Sequence, residues 1–296
     1  MGKYFGNKVF KWLFAALVLV IITLAATKVY FAVLRTQVTD KPVPVAAIKD
    51  VPIECWQALA AKKIFFGHQA VGAEILEGVK QIDAEYDFIN LHIIEVNDVA
   101  FGSGPAFLHA AIGHCPDALS KFSGFEKIMD SFSYDKIDIA FMKLCYADIE
   151  WEYDTDAIFN AYKKTIDALK ARHPQVLFMH ITVPLCSKPK GARILRETAK
   201  FFARRPSIWD DNQKRQQYNA RLIEAFGKTD PVFDLAAAES TDPRGFRYYA
   251  MKGNEKIFLL APQYDIDIGG LNETGKRKVA EQFLIFLANT ACRRNP

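Results

Sequence analysis

Cysteine is scarce in this chain, and its spacing is wrong for metal: Cys55, Cys115, Cys145, Cys186 and Cys292 are odd in number and contain no CxxC pair. That argues against a structural zinc site and against a complete disulfide framework. Two readings stay open, a single disulfide in an oxidising compartment or small buried hydrophobes, the second fitting Cys145 and Cys186. Charge of one sign is also lacking. The 38 Lys and Arg exceed the 34 Asp and Glu by only four, and the two signs interleave after residue 40. No concentrated basic face of the kind nucleic acid requires is present. The pattern GxxxxGK[ST] is absent as well, which argues against a nucleotide-phosphate loop, and there is no internal repeat.

What is present is apolar. Half of the 296 residues are hydrophobic, enough to bury one large core, and one main domain is the expectation at this length. From Trp12 to Thr27 no charged residue occurs, and apolar character resumes after Lys28 with Val29, Tyr30 and Phe31. As one helix, residues 12 to 34 would measure about 35 Å at ~1.5 Å per residue, enough to cross a bilayer. Lys28 would snorkel near one end. Lys3, Lys8 and Lys11 precede the run and favour a cytoplasmic N-terminus, although Lys28, Arg35, Lys41 and Lys49 follow it. A cleaved signal peptide, cut near Ala25 and Ala26, is the rival reading. The stretch is long for a signal-peptide core, which favours an anchor. Both place the domain outside the cytoplasm.

The organisation expected is therefore a cytoplasmic N-terminus and transmembrane anchor over 1–34, an extended linker over 35–52 containing Pro42, Pro44 and Pro52, and a domain over 53–296. Within the domain, strand-like runs (63–66, 88–96, 137–144, 176–182, 231–234) alternate with helical spacing (71–82, 155–171, 212–226, 273–291). This predicts a mostly parallel sheet of about five strands buried on both faces. Ligands bind beyond the carboxyl ends of such strands, which directs attention to Gly67–Gly72, 97–117, Lys143–Asp148, His180–Pro184, Asp234–Ser240 and the turn before Glu273.

At the first strand end, Gly67 and Gly72 flank His68, Gln69 and Ala70. Glycines there let a side chain stand up from the sheet edge while helix N–H groups face an anion or oxyanion. His68 reads equally as a site residue or as a histidine bonded to a neighbouring loop. The stretch Phe101-Gly-Ser-Gly-Pro105, with His109, Gly113, His114 and Cys115, suggests metal at first sight. Histidines five apart fall off a common helical face, and no carboxylate pattern completes the set, so no metal is expected. The acidic run Asp148, Glu150, Glu152, Asp154 and Asp156 around Trp151 and Tyr153 reads as an exposed helix start or as a sugar-binding rim. The basic stretch Lys188–Arg205 reads as a solvated helix face.

Five blocks together resemble the SGNH/GDSL hydrolase superfamily: Gly67-His-Gln-Ala-Val-Gly72, Asp138–Tyr146, His180–Leu185, Arg215 ahead of Tyr218-Asn219, and Asp267-Ile-Gly-Gly-Leu-Asn-Glu273. In particular they are similar to a bacterial branch whose first block reads Gly-His-x-Ser-Val-Gly and whose last reads Asp-Gly-Gly-His-Leu-Asn. The likeness spans about residues 60 to 290. It implies a three-layer α/β/α fold, ester hydrolysis or transfer on a carbohydrate or envelope polymer, and no cofactor. It also implies a serine nucleophile and a histidine base, where this chain has Ala70 and Gly270. Nucleophilic catalysis needs both. Of the catalytic set Asp267 and His68 remain, and the implied substrate-binding residues are Lys143, Tyr146, His180, Arg215, Tyr218, Asn219 and Asn272. His68, Lys143, Tyr146, His180 and Asp267 are expected to converge on one cleft. The resulting expectation is a degenerate, membrane-anchored envelope protein that binds a polysaccharide or acylated glycan on the periplasmic or extracellular side of the cytoplasmic membrane. An active carbohydrate esterase or O-acyltransferase with rearranged residues, such as Cys145 paired with His68 or His180, is the alternative.

Overall fold

The computed structural model describes residues 2–33, 35–96, 104–132 and 137–293. Residues 97 to 103, which include Phe101, Gly102 and Ser103 of the Phe101–Pro105 stretch, lie outside the described residues, as do the side chains of Lys3, Lys8, Tyr30 and Phe31. In chain order the elements are α1 (Gly2–Val33), β1 (Thr36–Val38), α2 (Ile53–Ala60), β2 (Lys63–His68), α3 (Ala70–Glu85), β3 (Ile93–Glu95), β4 (Ala106–Ala111) and α4 (Ala118–Ser131). There follow β5 (Ile139–Met142), α5 (Thr155–Arg172), β6 (Leu177–Phe178), β7 (His180–Ile181), α6 (Arg193–Phe202), α7 (Ile208–Phe226), β8 (Val232–Phe233), α8 (Leu235–Ser240), β9 (Tyr248–Lys252), β10 (Glu255–Phe258) and α9 (Glu273–Cys292).

The main sheet is parallel with strand order β3-β4-β2-β5-β6, and β7 carries the β6 strand onward to pair with β8. Period-two alternation decides which layer each side chain enters. Ile64 and Phe66 of β2 point into a core shared with Val71, Ile75 and Val79 of α3, Trp56 of α2 and Phe283 of α9. Phe65 of the same strand points the other way, among Phe122 and Phe125 of α4, Ile166 of α5 and Leu222 of α7. Helices thus cover both faces, as a parallel sheet requires, and the domain is a three-layer α/β/α sandwich. The chain leaves β2 toward β3 and β4 on one side and later returns to β5 on the other. That reversal makes the gap between the carboxyl ends of β2 and β5 a switch point, where doubly wound sheets bind ligands.

Two features, the β3–β4 region and segment 35–52, depart from the sequence reading. The strand read over 88–96 shrinks to β3, and β4 takes the sheet position beside β2 although its small residues Ala106, Ala110 and Ala111 gave no strand signal. Segment 35–52 is extended but held: β1 pairs antiparallel with β9, Val43 N–H donates to Gly245 O at 2.8 Å, and Ile48 is buried. Only residues 34 and 35 separate α1 from β1. Cys55 and Cys292 form a disulfide joining α2 to the end of α9, while Cys115, Cys145 and Cys186 are free thiols. Helix α1 is long and apolar enough over Phe10–Val29 to cross a membrane.

Candidate functional site

The first turn after β2 is tightly fixed. Gln69 precedes α3 and donates from Nε2 to Ile112 O at 2.8 Å and Gly113 O at 2.7 Å, pinning the helix start to the loop after β4. Gly72 lies so close over His68 that an added Cβ would collide with the His68 Cβ, so only glycine lets α3 settle there. His68 is buried beneath, its Nε2 3.1 Å from His109 Nδ1 and its Nδ1 3.3 Å from Gln69 O. Burial, helped by His109 and Lys143, lowers its pKa to about 4, so the imidazole is neutral at physiological pH.

Ala70 opens α3 at the switch point, where the resemblance calls for a serine. The late turn comes to the same place through Glu74, one helical turn after Ala70 on the same face. Leu271 N–H donates to Glu74 Oε2 at 2.9 Å, and a Cβ on Gly270 would stand 3.5 Å from Glu74 Oε1. Burial raises the Glu74 pKa. Glu74 thus ties the start of α3 to the late turn, and Gly270 has room for a Cβ at ordinary contact distance. Asp267 is 61% exposed, with Arg193 Nη1 at 3.9 Å. Between them Ile268 takes φ of 59°, a left-handed conformation that is an outlier for a β-branched residue, at a position where the resembling block has glycine. Its carbonyl accepts from Ser187 N–H at 2.5 Å, locking the strained turn onto the loop after β7.

That loop is held in turn by α7. Asn219 accepts from Val183 N–H at 2.7 Å and donates to Val183 O at 2.8 Å. Seven residues earlier on the same face, Asn212 treats Cys186 alike, at 2.9 and 2.8 Å. Arg215 lies between them, 1% exposed, donating to Tyr146 O (2.9 Å), Asn212 Oδ1 (2.8 Å) and Cys186 Sγ (3.2 Å), with Glu150 3.5 Å away. Tyr146 is the pivot: its ring stands 5.6 Å from the Arg215 guanidinium, and a Cβ on Gly269 would meet it at 2.9 Å. On the other side of β5, Lys121 and Asp148 form a fully buried ion pair at 2.6 Å. Asp148 also accepts from Cys145 N–H, and Lys121 donates to His114 O. Burial alone would lower the Lys121 pKa, but the Asp148 carboxylate outweighs it and raises it.

Beside Tyr146 opens a cleft of about 820 Å³, walled by Glu150 and Trp151 from the loop after β5, by Arg193 and Lys200 of α6, and by Arg215 of α7 and Ile268 of the late turn. Acidic and basic groups alternate around an aromatic floor, with Lys214 5.2 Å above the Trp151 ring. The acidic run is not one unit. Asp148 is buried in its ion pair, Glu150 faces the cleft, and Asp154 caps α5 by accepting from Asp156 and Ala157 N–H.

Lys143 sits fully buried beside the β2 end, its amide donating to Gly67 O and its Nζ to Leu144 O. His180 does not join His68. It points to the opposite face of the sheet, stacked 3.9 Å from Phe226, with Tyr162 OH 2.7 Å from Nδ1 and Asp230 3.5 Å from Nε2. Tyr218 is buried in that same layer against Phe159. Asn272 caps α9 by accepting from Gly275 N–H at 2.9 Å. His109 is buried against His68 while His114 is exposed by Asp117, so the two do not share a site. Cys115, Cys145 and Asp148 do lie close enough together for a metal. The Lys121 ammonium already occupies the cation's place at Asp148, and burial pushes the Cys145 thiol up to about 12, away from the thiolate that ligation needs.

Sequence reasoning missed Glu74, Asn212 and Lys121. Helical spacing from Ala70 could have found the first, and the Asn212/Asn219 interval of two turns the second.

No family model matches the chain, and no curated protein matches it. Solved structures are similar to it at low identity. A GDSL-like lipase from Bacteroides thetaiotaomicron is 14% identical, covering 80% of this chain and 90% of that one with a TM-score of 0.48. An acetyl xylan esterase is 16% identical, covering 75% and 97%, with a TM-score of 0.44. The periplasmic domain of a lipopolysaccharide acetyltransferase from Salmonella ser. Paratyphi A is 12% identical, covering 79% and 87%, with a TM-score of 0.42. These likenesses say nothing of which reactive residues this chain retains.

Proposed function

We propose that this chain is a membrane-tethered protein of the cell envelope that uses the cleft beside Tyr146 to bind a glycan or another envelope partner, and that it performs no ester chemistry. The observation that carries this reading is that Ala70 opens α3 and Gly270 sits in the late turn held by Glu74: neither offers an oxygen nucleophile or a base, while a cleft lined by Ile268 of that late turn is present. Aromatic rings among charged and hydrogen-bonding groups suit a sugar, whose faces are apolar and whose edges are polar. The rival, an active carbohydrate esterase or O-acyltransferase with Cys145 as nucleophile, is opposed by a thiol held protonated and by the absence of any imidazole bonded to it among the described residues. Export is supported by the Cys55–Cys292 bridge, and anchoring by α1.

Binding is tested by titrating the full-length protein with acetylated and deacetylated envelope oligosaccharides, followed by tryptophan fluorescence. Trp151→Ala should weaken the best ligand about tenfold, the order of one aromatic contact. An unchanged affinity would move the ligand out of this cleft. Turnover of acetyl esters by the unaltered chain would overturn the non-hydrolytic reading.

A further inference from the structure

Helix α6 has two unlike faces. Inward, Glu197 and Thr198 are buried, with Glu197 accepting from Ile208 N–H at 3.0 Å and pairing with Lys200 at 2.9 Å. Outward, Leu195 is 57% and Phe202 51% exposed, seven residues apart and so on one stripe, with Ala199 exposed between them. Arg196, Arg204 and Arg205 are exposed beside this stripe and have no acidic partner among the described residues. An apolar stripe edged by arginines is the pattern of a helix lying in a lipid interface.

Two further observations say what covers that face. Helix α1 packs against α6, and among the α1 side chains from Phe10 to Val29 only Ala26 and Thr27 are partly covered, near the end that leads into the domain. The membrane-length segment stops at Val29 and β1 begins at Thr36. The intervening residues reach no more than about 20 Å even fully extended, and most are helical, which shortens the span. Pairing of β1 with β9 then fixes the domain at that distance. The domain has no slack with which to stand off from the bilayer.

We infer that α6 rests on the membrane surface beside the anchor, with Leu195 and Phe202 in the headgroup boundary of an anionic phospholipid leaflet and Arg196, Arg204 and Arg205 on its phosphates. This rests on the reading of α1 as an anchor. Because Arg196, Lys200 and Arg205 also line the cleft, the cleft opens at headgroup level, toward a ligand carried by the membrane rather than one diffusing above it.

The test uses the full-length chain in nanodiscs of phosphatidylglycerol with phosphatidylethanolamine, and in phosphatidylcholine discs. A photoreactive p-benzoylphenylalanine replaces Leu19, Leu195, Phe202 or, as a control on an exposed face of α7, Ile223. Lipid adducts are expected at positions 19, 195 and 202 and not at 223, with the yield at 195 and 202 falling several-fold in phosphatidylcholine. Hydrogen exchange of the unaltered chain should show α6 amides slowed in the anionic discs and α7 amides unchanged. Adducts at 19 without adducts at 195 and 202 would overturn the inference and leave the anchor standing. Adducts from 195 or 202 to a second protein chain would overturn it in favour of self-association. Loss of the adduct at 19 would remove the anchor reading, and the inference with it.

Discussion

The reactive positions and the loops that frame them have been treated very differently in this chain. Around the switch point the framing is dense: Asn212 and Asn219 satisfy the backbone of the loop after β7, Arg215 holds Tyr146 and Cys186, and Lys121 with Asp148 holds the loop after β5. The positions that the resemblance makes reactive are the smallest, Ala70 with a methyl and Gly270 with room for a Cβ 3.5 Å from Glu74 Oε1. A scaffold under hydrogen-bond control around positions without a nucleophile or a base is what the proposed binding without turnover requires, because a cleft needs its walls and not its nucleophile.

If that contrast is real, substitutions in the frame should be costly and substitutions at the reactive positions cheap. The largest effect is expected from Lys121→Ala, which strands the Asp148 carboxylate at 0% exposure; about 3–5 kcal/mol should be lost in urea unfolding. A cost under about 1 kcal/mol would mean that water reaches Asp148 and the frame is looser than described. Reducing Cys55–Cys292, which closes a loop across a separation of 237 residues, should cost about 2–5 kcal/mol, read as a lower melting temperature under reductant. Asn219→Ala leaves the N–H and C=O of Val183 unpaired in the interior, for about 1–3 kcal/mol.

A pH series sharpens the same contrast. Burial raises the Glu239 carboxyl to about 8 from an ordinary 4.5, while it accepts from Leu185 N–H. The native state therefore holds a proton that the unfolded chain releases, and stability attributable to this group falls as pH rises from about 4.5 toward about 8. Glu239→Gln keeps the acceptor and cannot ionise, so the decline with rising pH should flatten. An identical slope in the variant would place the titration elsewhere. His68 acts in the opposite sense, its pKa lowered to about 4, so its contribution is lost as pH falls below about 6.5. The smallest effect is expected from Ala70→Ser and Gly270→Ala, each within about 0.5 kcal/mol, the range of substitutions that disturb no packed feature.

Much of this arrangement was legible in the residues. Alternating apolar runs fixed the layer architecture because a parallel sheet buried on both faces leaves near-continuous hydrophobic strands. The helices α5 and α9 match their sequence spans almost to the residue, since Asp154 and Asn272 are capping side chains at their starts. Strand β4 was illegible because alanine carries no strand preference and its position beside β2 comes from tertiary pairing. Strand β1 was hidden for the same reason, its partner β9 lying more than 200 residues away in sequence. At the site, Tyr146, Arg215 and the late turn lie together, while the expected convergence of His68, Lys143, Tyr146, His180 and Asp267 includes one residue that the fold sends elsewhere. That residue is His180, whose parity along its strand turns it to the α5 and α7 layer. The Cys55–Cys292 pairing follows from α2 packing on α9, which no spacing of cysteines announces.

The most direct measurement of the central claim is labelling by a serine-directed phosphonate, applied to the unaltered chain, to Ala70→Ser, and to Ala70→Ser combined with Gly270→His. Removing members of a serine triad leaves about 10³–10⁴-fold residual catalysis over water from binding and the oxyanion hole, so slow turnover alone is a poor readout and covalent labelling is the sharper one. The account predicts no label on the unaltered chain, little on the single variant, whose hydroxyl lacks a base, and clear labelling at position 70 in the double variant. Labelling of the unaltered chain, accompanied by ester hydrolysis, would contradict it.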